Sequence, residues 1–351
     1  MSEQRNSDSI PAASSSSWRS ARLLVTDEFV APPVILRVDD SVVGTLGNFS
    51  ASTGKAKSKK TFNVCAIVAA AMTGGMVLNY SASLPPERRR ILYVDTEQSR
   101  FHCKRVLCRI LRLAGLPADT HPPLLEFLCL RGYATKERLR KIEEAIYDLD
   151  DLGLVVIDGI RDLAHDINSP GEATDLITKL MQWTDERRIH IHTVLHLNKG
   201  DDNTRGHLGT ELNNKAETVL QITKDDFDRD ISSVAAMHIR DRDFEPFAFR
   251  ISADALPELV EDYQPRQITA AKSFDYAEVC ETKHREALEL LFSEADRVSY
   301  SSLIGRLQSS YAAIGHSFGI NKAKQLKVFL ENKRMIVKED KFYRYNPDFH
   351  Y

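Results

Sequence analysis

Runs of apolar residues alternate with helix-patterned segments through the middle of the chain, and that alternation limits the fold more than any other feature. The stretch "LGLVVIDGIRDLA" carries the most strand-like run, Leu154 to Ile157, ending on Asp158. "RRRILYVDTEQSR" carries a second, Ile91 to Val94, ending in Asp95, Thr96 and Glu97, and "HIHTVLHLN" a third. Helix patterns fall between and around them, at Phe101 to Ala114, in "TKERLRKIEEAIYDLDDLG" and at Glu172 to Arg187. Continuous apolar strands separated by helices predict an α/β fold whose mainly parallel sheet is covered on both faces. Later β-like runs, "AETVLQITKD", "AAMHIRDRDF" and "FAFRISA", extend it through hairpins.

Before the first of these strands stands a lysine-rich loop. Apolar positions from Val42 to Phe49 predict a strand ending near Ser50, and "TFNVCAIVAAAMTGG" predicts a buried helix stopped by its glycine pair. Between them, "GKAKSKKT" follows the template G-x-x-x-x-G-K-[ST] at every position but one, where Lys59 replaces the second glycine. Gly54 can turn tightly and let amides face an anion, Lys60 would reach β- and γ-phosphates, and Thr61 would ligate Mg²⁺. The nucleotide-binding candidates are therefore Gly54, Lys55, Ala56, Lys57, Ser58, Lys59, Lys60, Thr61 and Phe62, with ATP and Mg²⁺ as ligands. The competing reading is a basic loop between two elements, one that could bind nucleic acid directly.

Three strand ends add polar groups. Asp158 would orient Mg²⁺ together with Thr61, or else only cap the turn before Gly159. Glu97 would polarise an attacking water, with Asp95 a competitor for the role and a solvated loop glutamate the plainer reading. His196 would sense the γ-phosphate, or be satisfied by nearby backbone. Open α/β sheets bind ligands at the carboxyl ends of their strands, where all of these residues fall.

Composition sets limits on partners. The 351 residues are 42% apolar and 28% charged with a formal net charge of −3, so a nucleic-acid site must be a local basic patch. Five cysteines without C-x-x-C spacing point to reduced cytosolic thiols rather than zinc or disulfides. No run is long enough to span a membrane, and residues 1–20 read as a disordered lead-in rather than a signal peptide, so the expected location is cytoplasmic.

The pattern changes towards the end. Residues 255–274 hold two prolines and little periodicity and read as a linker between a core over 21–254 and a second domain over 275–351. There "KHREALELLF", "SYSSLIGRLQSSYA" and "INKAKQLKVFLENKRMI" predict three helices, and "MIVKEDKFYRYNP" a two-stranded wing. That order makes a winged helix-turn-helix whose third helix would enter the DNA major groove. Lys322, Lys324, Lys327, Lys341 and Arg344 are the candidate DNA contacts, in a stretch (300–351) with nine Lys or Arg against four Asp or Glu. A winged helix used for protein contacts is the alternative.

Between about Pro32 and Ile251 the order of these motifs resembles the RecA-like P-loop ATPases, and within them the hexameric helicases of the DnaB and plasmid RepA type. "GKAKSKKT" matches Walker A, "YVDTEQ" the strand with the catalytic glutamate, "LVVIDG" Walker B, and "VLHLNK" with "RGHLGTELNNKAETVL" the sensor strand and DNA-side loop. More closely the chain looks like the RepA-like AAA-type ATPases of bacterial mobile elements, whose phosphate loop often carries extra lysine. "HIRDRDFEP" resembles the K-x-R element that reaches a neighbour's nucleotide site, with Arg240 and Arg242 in the two positions; the plainer reading is a solvated strand of alternating charge. The resemblance implies an ATP-hydrolysing, helicase-like motor on DNA, a homo-oligomer (a hexamer in that family), and a role in replicating or mobilising a plasmid or transposon. A DNA-binding regulator whose oligomerisation ATP switches is the alternative.

Overall fold

The computed structural model describes residues 17–197, 204, 206–225, 228–261, 263, 275–277 and 279–349. The expected disordered lead-in lies outside them except for a 3-10 turn at Ser17–Ala21. The chain divides into two compact units, Met1–Pro265 and Arg266–Tyr351.

The first unit begins with strands β1 (Val34–Val38), β2 (Ser41–Thr45) and β3 (Phe49–Gly54), then helix α1 (Lys60–Thr73). After the short β4 (Met76–Val77) and β5 (Tyr80–Ala82) come β6 (Arg90–Asp95), α2 (Arg100–Leu113), β7 (Leu125–Cys129), α3 (Thr135–Asp148) and β8 (Leu152–Asp158). Then follow α4 (Pro170–Arg187), β9 (His190–His196), α5 (Gly206–Lys215), β10 (Thr218–Lys224), β11 (Ile231–Ile239), β12 (Phe247–Ile251) and β13 (Pro257–Val260). Nine strands form one sheet in the order β13-β12-β11-β10-β3-β9-β8-β6-β7. The six from β10 to β7 are parallel and the hairpin strands β11 to β13 antiparallel.

Alternation along each strand sorts side chains to two cores. Ile91, Tyr93, Leu154 and Val156 face α1 and the small sheet β2-β1-β5-β4, whereas Leu92, Val94, Val155 and Ile157 face α3, α4 and α5. Alanines Ala66, Ala69 and Ala70 let α1 lie buried against the sheet, and Gly74 ends it in a left-handed turn, φ 64°, its N–H donating to the Ala70 carbonyl.

Two expectations need correction. The predicted strand from Val42 to Ser50 is two strands, because Gly47 (φ 86°) turns the chain. The first joins the small sheet; the second, Phe49–Gly54, is the one that leads into the lysine loop. Within the expected linker, Pro257–Val260 is the edge strand β13, paired to β12. An edge strand tolerates the proline at its start because its missing N–H costs no ladder bond there.

Beneath α1 runs a buried polar chain that the apolar pattern hides. His190 Nδ1 donates to the Thr45 carbonyl (2.8 Å), and its Nε2 accepts from Ser50 Oγ (2.7 Å). Ser50 Oγ in turn accepts from His192 Nδ1 (2.8 Å), whose Nε2 accepts from Ser52 Oγ (2.9 Å). This one assignment satisfies every ring nitrogen with both imidazoles neutral. Gly44 makes room: a Cβ there would lie 2.7 Å from the His190 ring. Burial pushes His190 down to about 4 and His192 to about 3. Unfolded imidazoles take protons near 6.5. Between that value and about 4 the unfolded chain therefore binds more protons than the folded one, so these two groups stabilise fully above pH 6.5 and lose that contribution as pH falls. We expect two histidine resonances that do not titrate between pH 8 and 5 while the fold persists, read by NMR; ordinary titration of all eleven would contradict the chain.

The second unit holds α6 (Glu281–Phe292), β14 (Val298–Ser299), α7 (Tyr300–Ala313), α8 (Ile320–Asn332), β15 (Ile336–Glu339) and β16 (Phe342–Tyr345). Its three strands pair in the order β14-β16-β15, all antiparallel. Leu288, Leu291, Leu303, Leu307, Leu326 and Leu330 form its own core.

Candidate active site

Strand β3 lies inside the parallel sheet, flanked by β10 and β9. Its carboxyl end meets those of β9, β8 and β6, so Gly54, His196, Asp158 and Asp95 reach one rim. Gly54 is required by space, not by its φ: a Cβ would lie 2.2 Å from the Ile222 carbonyl oxygen of β10 and 2.5 Å from Ser58 Oγ. The loop then turns through Lys57 (φ 66°) and Lys59 (φ 67°), both left-handed, before α1 starts. Lysine thus adopts at position 59 the conformation the template gives to glycine.

Lys60 is buried, and its ammonium is curled onto the loop. Nζ donates to the carbonyls of Gly54 (2.8 Å) and Lys55 (3.0 Å) and to His196 Nδ1 (3.0 Å). Burial lowers its pKa to about 8, with Asp158 and Glu97 pulling the other way. Because His196 Nδ1 accepts, its proton sits on Nε2, which faces Glu97 Oε1 at 3.7 Å. His196, with help from Lys60 and Arg161, holds the Glu97 carboxyl below its ordinary range against the effect of burial.

Thr61 Oγ1 and the Tyr93 hydroxyl both donate to Asp158 Oδ2, each at 2.9 Å. Burial, and then the charge of Asp95, push Asp158 up to about 6 despite those two bonds. Asp95 is committed elsewhere: its carboxylate accepts from the Glu97 amide (3.0 Å), the Gln98 amide (2.7 Å) and Gln98 Nε2 (2.7 Å). It shapes the turn that leaves Glu97 facing the cavity. Gly159 (φ 106°) is needed across that turn, since a Cβ would lie 2.2 Å from Thr96 Oγ1.

Lys60, Thr61, Glu97, Asp158 and His196 line one cavity of about 370 Å³. The Ser58 hydroxyl, also in its lining, is buried without a hydrogen-bond partner. An orphaned donor, a cation and the start of a 14-residue helix converge there, which suits the oxygens of a triphosphate. Among the described residues no three His, Cys, Asp or Glu gather as a cation site. Mg²⁺ needs no such cage when substrate phosphates supply oxygens, and Thr61 with Asp158 would complete its protein side.

Sequence reasoning missed the far wall. His102, Arg105 and Arg109 of α2 line the cavity, and their i, i+3, i+7 spacing was the available signal. The Arg109 guanidinium stacks over the Phe62 ring, 3.7 Å from its centroid, and donates to the Ala255 carbonyl (3.0 Å). A second cavity of about 480 Å³ shares Arg105 and Arg109 and continues to Asp254–Leu256.

Arg240 and Arg242 are not brought to this rim. β10 runs parallel to β3 and β11 returns antiparallel, so Ile239 is level with Thr218 and Ser50. Arg240 therefore lies beyond the start of β3, more than about 13 Å along the strand from Gly54. Both arginines are exposed, and Arg240 donates to the Lys215 carbonyl (3.0 Å).

In the second unit the five basic candidates differ. Lys324 and Lys341 are exposed. Lys322 lies over the Tyr276 ring (4.9 Å). Lys327 pairs with Glu331 at 2.5 Å and lies over the rings of Tyr300 and Tyr343, and Arg344 pairs with Glu339 at 2.5 Å. All five cysteines are free, and no helix among the described residues is long and apolar enough to cross a membrane.

The solved structure of the RadB recombinase is similar to this chain at 15% identity and a TM-score of 0.44, covering 62% of this chain and 92% of that one. No curated protein matches the chain. A family model described as an AAA domain, AAA_25, matches residues 20–202, and since that is more than half of the chain's length the chain belongs to this AAA-domain family.

Proposed function

We propose that the chain hydrolyses ATP and uses the cycle to act on DNA as a helicase-like motor. The observation that carries the reading is the convergence of Lys60, Thr61, Asp158, Glu97 and His196 on one cavity beside a buried, unpartnered Ser58 hydroxyl. Gly54 to Thr61 would hold the triphosphate, with the base and ribose extending past Phe62 and Arg109 towards the second cavity. Mg²⁺ bound to the phosphates would neutralise charge as it develops on them. Glu97 accepts the proton of the attacking water, and His196 keeps that carboxylate ionised and oriented. Lys60 leaves the loop carbonyls for the phosphate oxygens.

Arg240 and Arg242, remote from the chain's own loop, act on a neighbouring copy, so a homo-oligomer, a hexamer by family resemblance, is the working form. Their forked guanidiniums suit γ-phosphate oxygens. The second unit is a winged helix-turn-helix that binds DNA with α8, its exposed Lys324 and Lys341 being the freest cations for phosphate contact. Lys327 and Arg344 would first have to leave their carboxylate partners. The setting, replication or mobilisation of a plasmid or transposon, rests on the motif resemblance alone, from "GKAKSKKT" to "VLHLNK".

ATP turnover measured with and without DNA tests the reading. Turnover that rises several-fold with DNA supports the motor. Saturable ATP binding and ATP-dependent assembly without turnover would favour the switched regulator instead.

A further inference from the structure

Lys59 raises a problem that the template does not solve. Its backbone is left-handed, φ 67° and ψ 29°, at the N-cap of α1. That conformation strains a residue with a Cβ, whereas glycine adopts it freely. Something must offset the cost, and the side chain shows what. Lys59 Nζ donates to the Asp230 carbonyl at 2.6 Å and to the Arg229 carbonyl at 3.3 Å. Both belong to the turn that joins β10 to β11, about 170 residues away in sequence. Burial lowers the Lys59 pKa, and Lys224 adds to that effect, while the Asp230 and Asp228 carboxylates attract the ammonium.

The receiving turn is itself built to hold those carbonyls in place. The Asp228 amide donates to Asp225 Oδ1 (2.8 Å), the Asp230 amide to Asp228 Oδ1 (2.9 Å), and the Ile231 amide to the Asp228 carbonyl (3.1 Å). The same hairpin touches the loop a second time, at its base, where the Ile222 carbonyl leaves room only for glycine at position 54. The phosphate loop is thus gripped by β10 and its turn at both ends.

We propose that Lys59 is a positioning residue that ties the phosphate loop to the β10–β11 turn, making the two one cooperative unit. The inference rests on the nucleotide reading only for what the loop holds; the tether itself does not depend on it. Lysine here exchanges the backbone freedom of glycine for a contact across the sheet rim. By thermodynamic reciprocity, a phosphate that orders the loop also orders the turn. β11 then carries that order over its nine residues towards Arg240. Occupancy of one copy's site would in this way reach the arginines offered to the next.

Amide hydrogen exchange at Asp230 and Ile231 in the full chain, with and without a non-hydrolysable ATP analogue, tests the tether beside a fluorescent-nucleotide titration. Lys59→Met keeps the stem and the strained backbone but not the ammonium. Exchange at both amides should quicken roughly tenfold and nucleotide affinity fall about five- to tenfold, the effect of losing charge-assisted bonds. Lys59→Gly should quicken exchange as much as Lys59→Met but lower affinity by a smaller factor, because the strain goes with the tether. In wild type the analogue should slow exchange at the turn; in Lys59→Gly it should not. Lys59→Arg, which can donate to both carbonyls, should restore both readouts. Wild-type exchange in Lys59→Met, or no rescue by arginine, would overturn the proposal. If wild type binds no nucleotide while Lys59→Met still loosens the turn, the nucleotide reading fails and the tether stands.

Discussion

Glu97→Gln is expected to stop ATP turnover while leaving ATP bound about as tightly as in wild type. Glutamine keeps the size of the side chain and loses the base. General-base catalysis contributes about 10²–10⁴ in rate, so kcat should fall by that factor. Affinity should stay within about threefold, because phosphate contacts at Lys60 and the loop amides are untouched. The geometry singles out Glu97 over its neighbour. Asp95 spends its carboxylate on three hydrogen bonds within the turn, whereas Glu97 faces the cavity beside His196. Asp95→Asn should therefore act differently, loosening the turn and lowering thermal stability along with activity. Steady-state turnover and nucleotide titration of both variants check the assignment; full turnover in Glu97→Gln would remove Glu97 from it.

Gly54→Ala should be as damaging to binding as Glu97→Gln is to turnover. The added methyl would meet the Ile222 carbonyl oxygen at 2.2 Å and Ser58 Oγ at 2.5 Å. Ile222 belongs to a strand hydrogen-bonded on both sides, so it cannot retreat. The loop must move instead, which takes its amides and the Lys60 acceptors off position. Overpacking of this kind costs about 1–3 kcal/mol of stability, and displaced phosphate contacts should lower nucleotide affinity a hundredfold or more, on the order of 3 kcal/mol. Calorimetric melting and nucleotide titration measure the two losses. Wild-type affinity would show that the loop is not where phosphate sits.

Much of this was legible because strand ends carry their meaning in single residues. The runs ending at Asp158, Glu97 and His196 gave three members of the cavity, and the lysine loop gave Lys60 and Thr61. Strand β3 was misplaced for a physical reason: it is "FSASTG", six buried positions of which four are Ser, Thr or Gly. Burial of Ser50 and Ser52 there is satisfied by hydrogen bonds to His190 and His192, so a hydropathy pattern cannot see it. The same limit hid the far wall, because His102, Arg105 and Arg109 look like any basic helix face until β6 and α1 bring that face over the loop. Lys59 was legible as a departure from the template, but its partner, a turn about 170 residues on, needed the sheet order β10-β3 to appear.

The most direct measurement is a titration of the purified chain with a fluorescent ATP analogue, with and without Mg²⁺, at pH 7.5 and again at pH 5. Saturable binding that Mg²⁺ tightens is expected at pH 7.5. Asp158, raised to about 6, is ionised above that value and protonated below it, so the Mg²⁺ effect should fade at pH 5. Absence of saturable binding under either condition, with the chain folded, would contradict the claim that the turn between β3 and α1 grips a nucleotide's terminal phosphates.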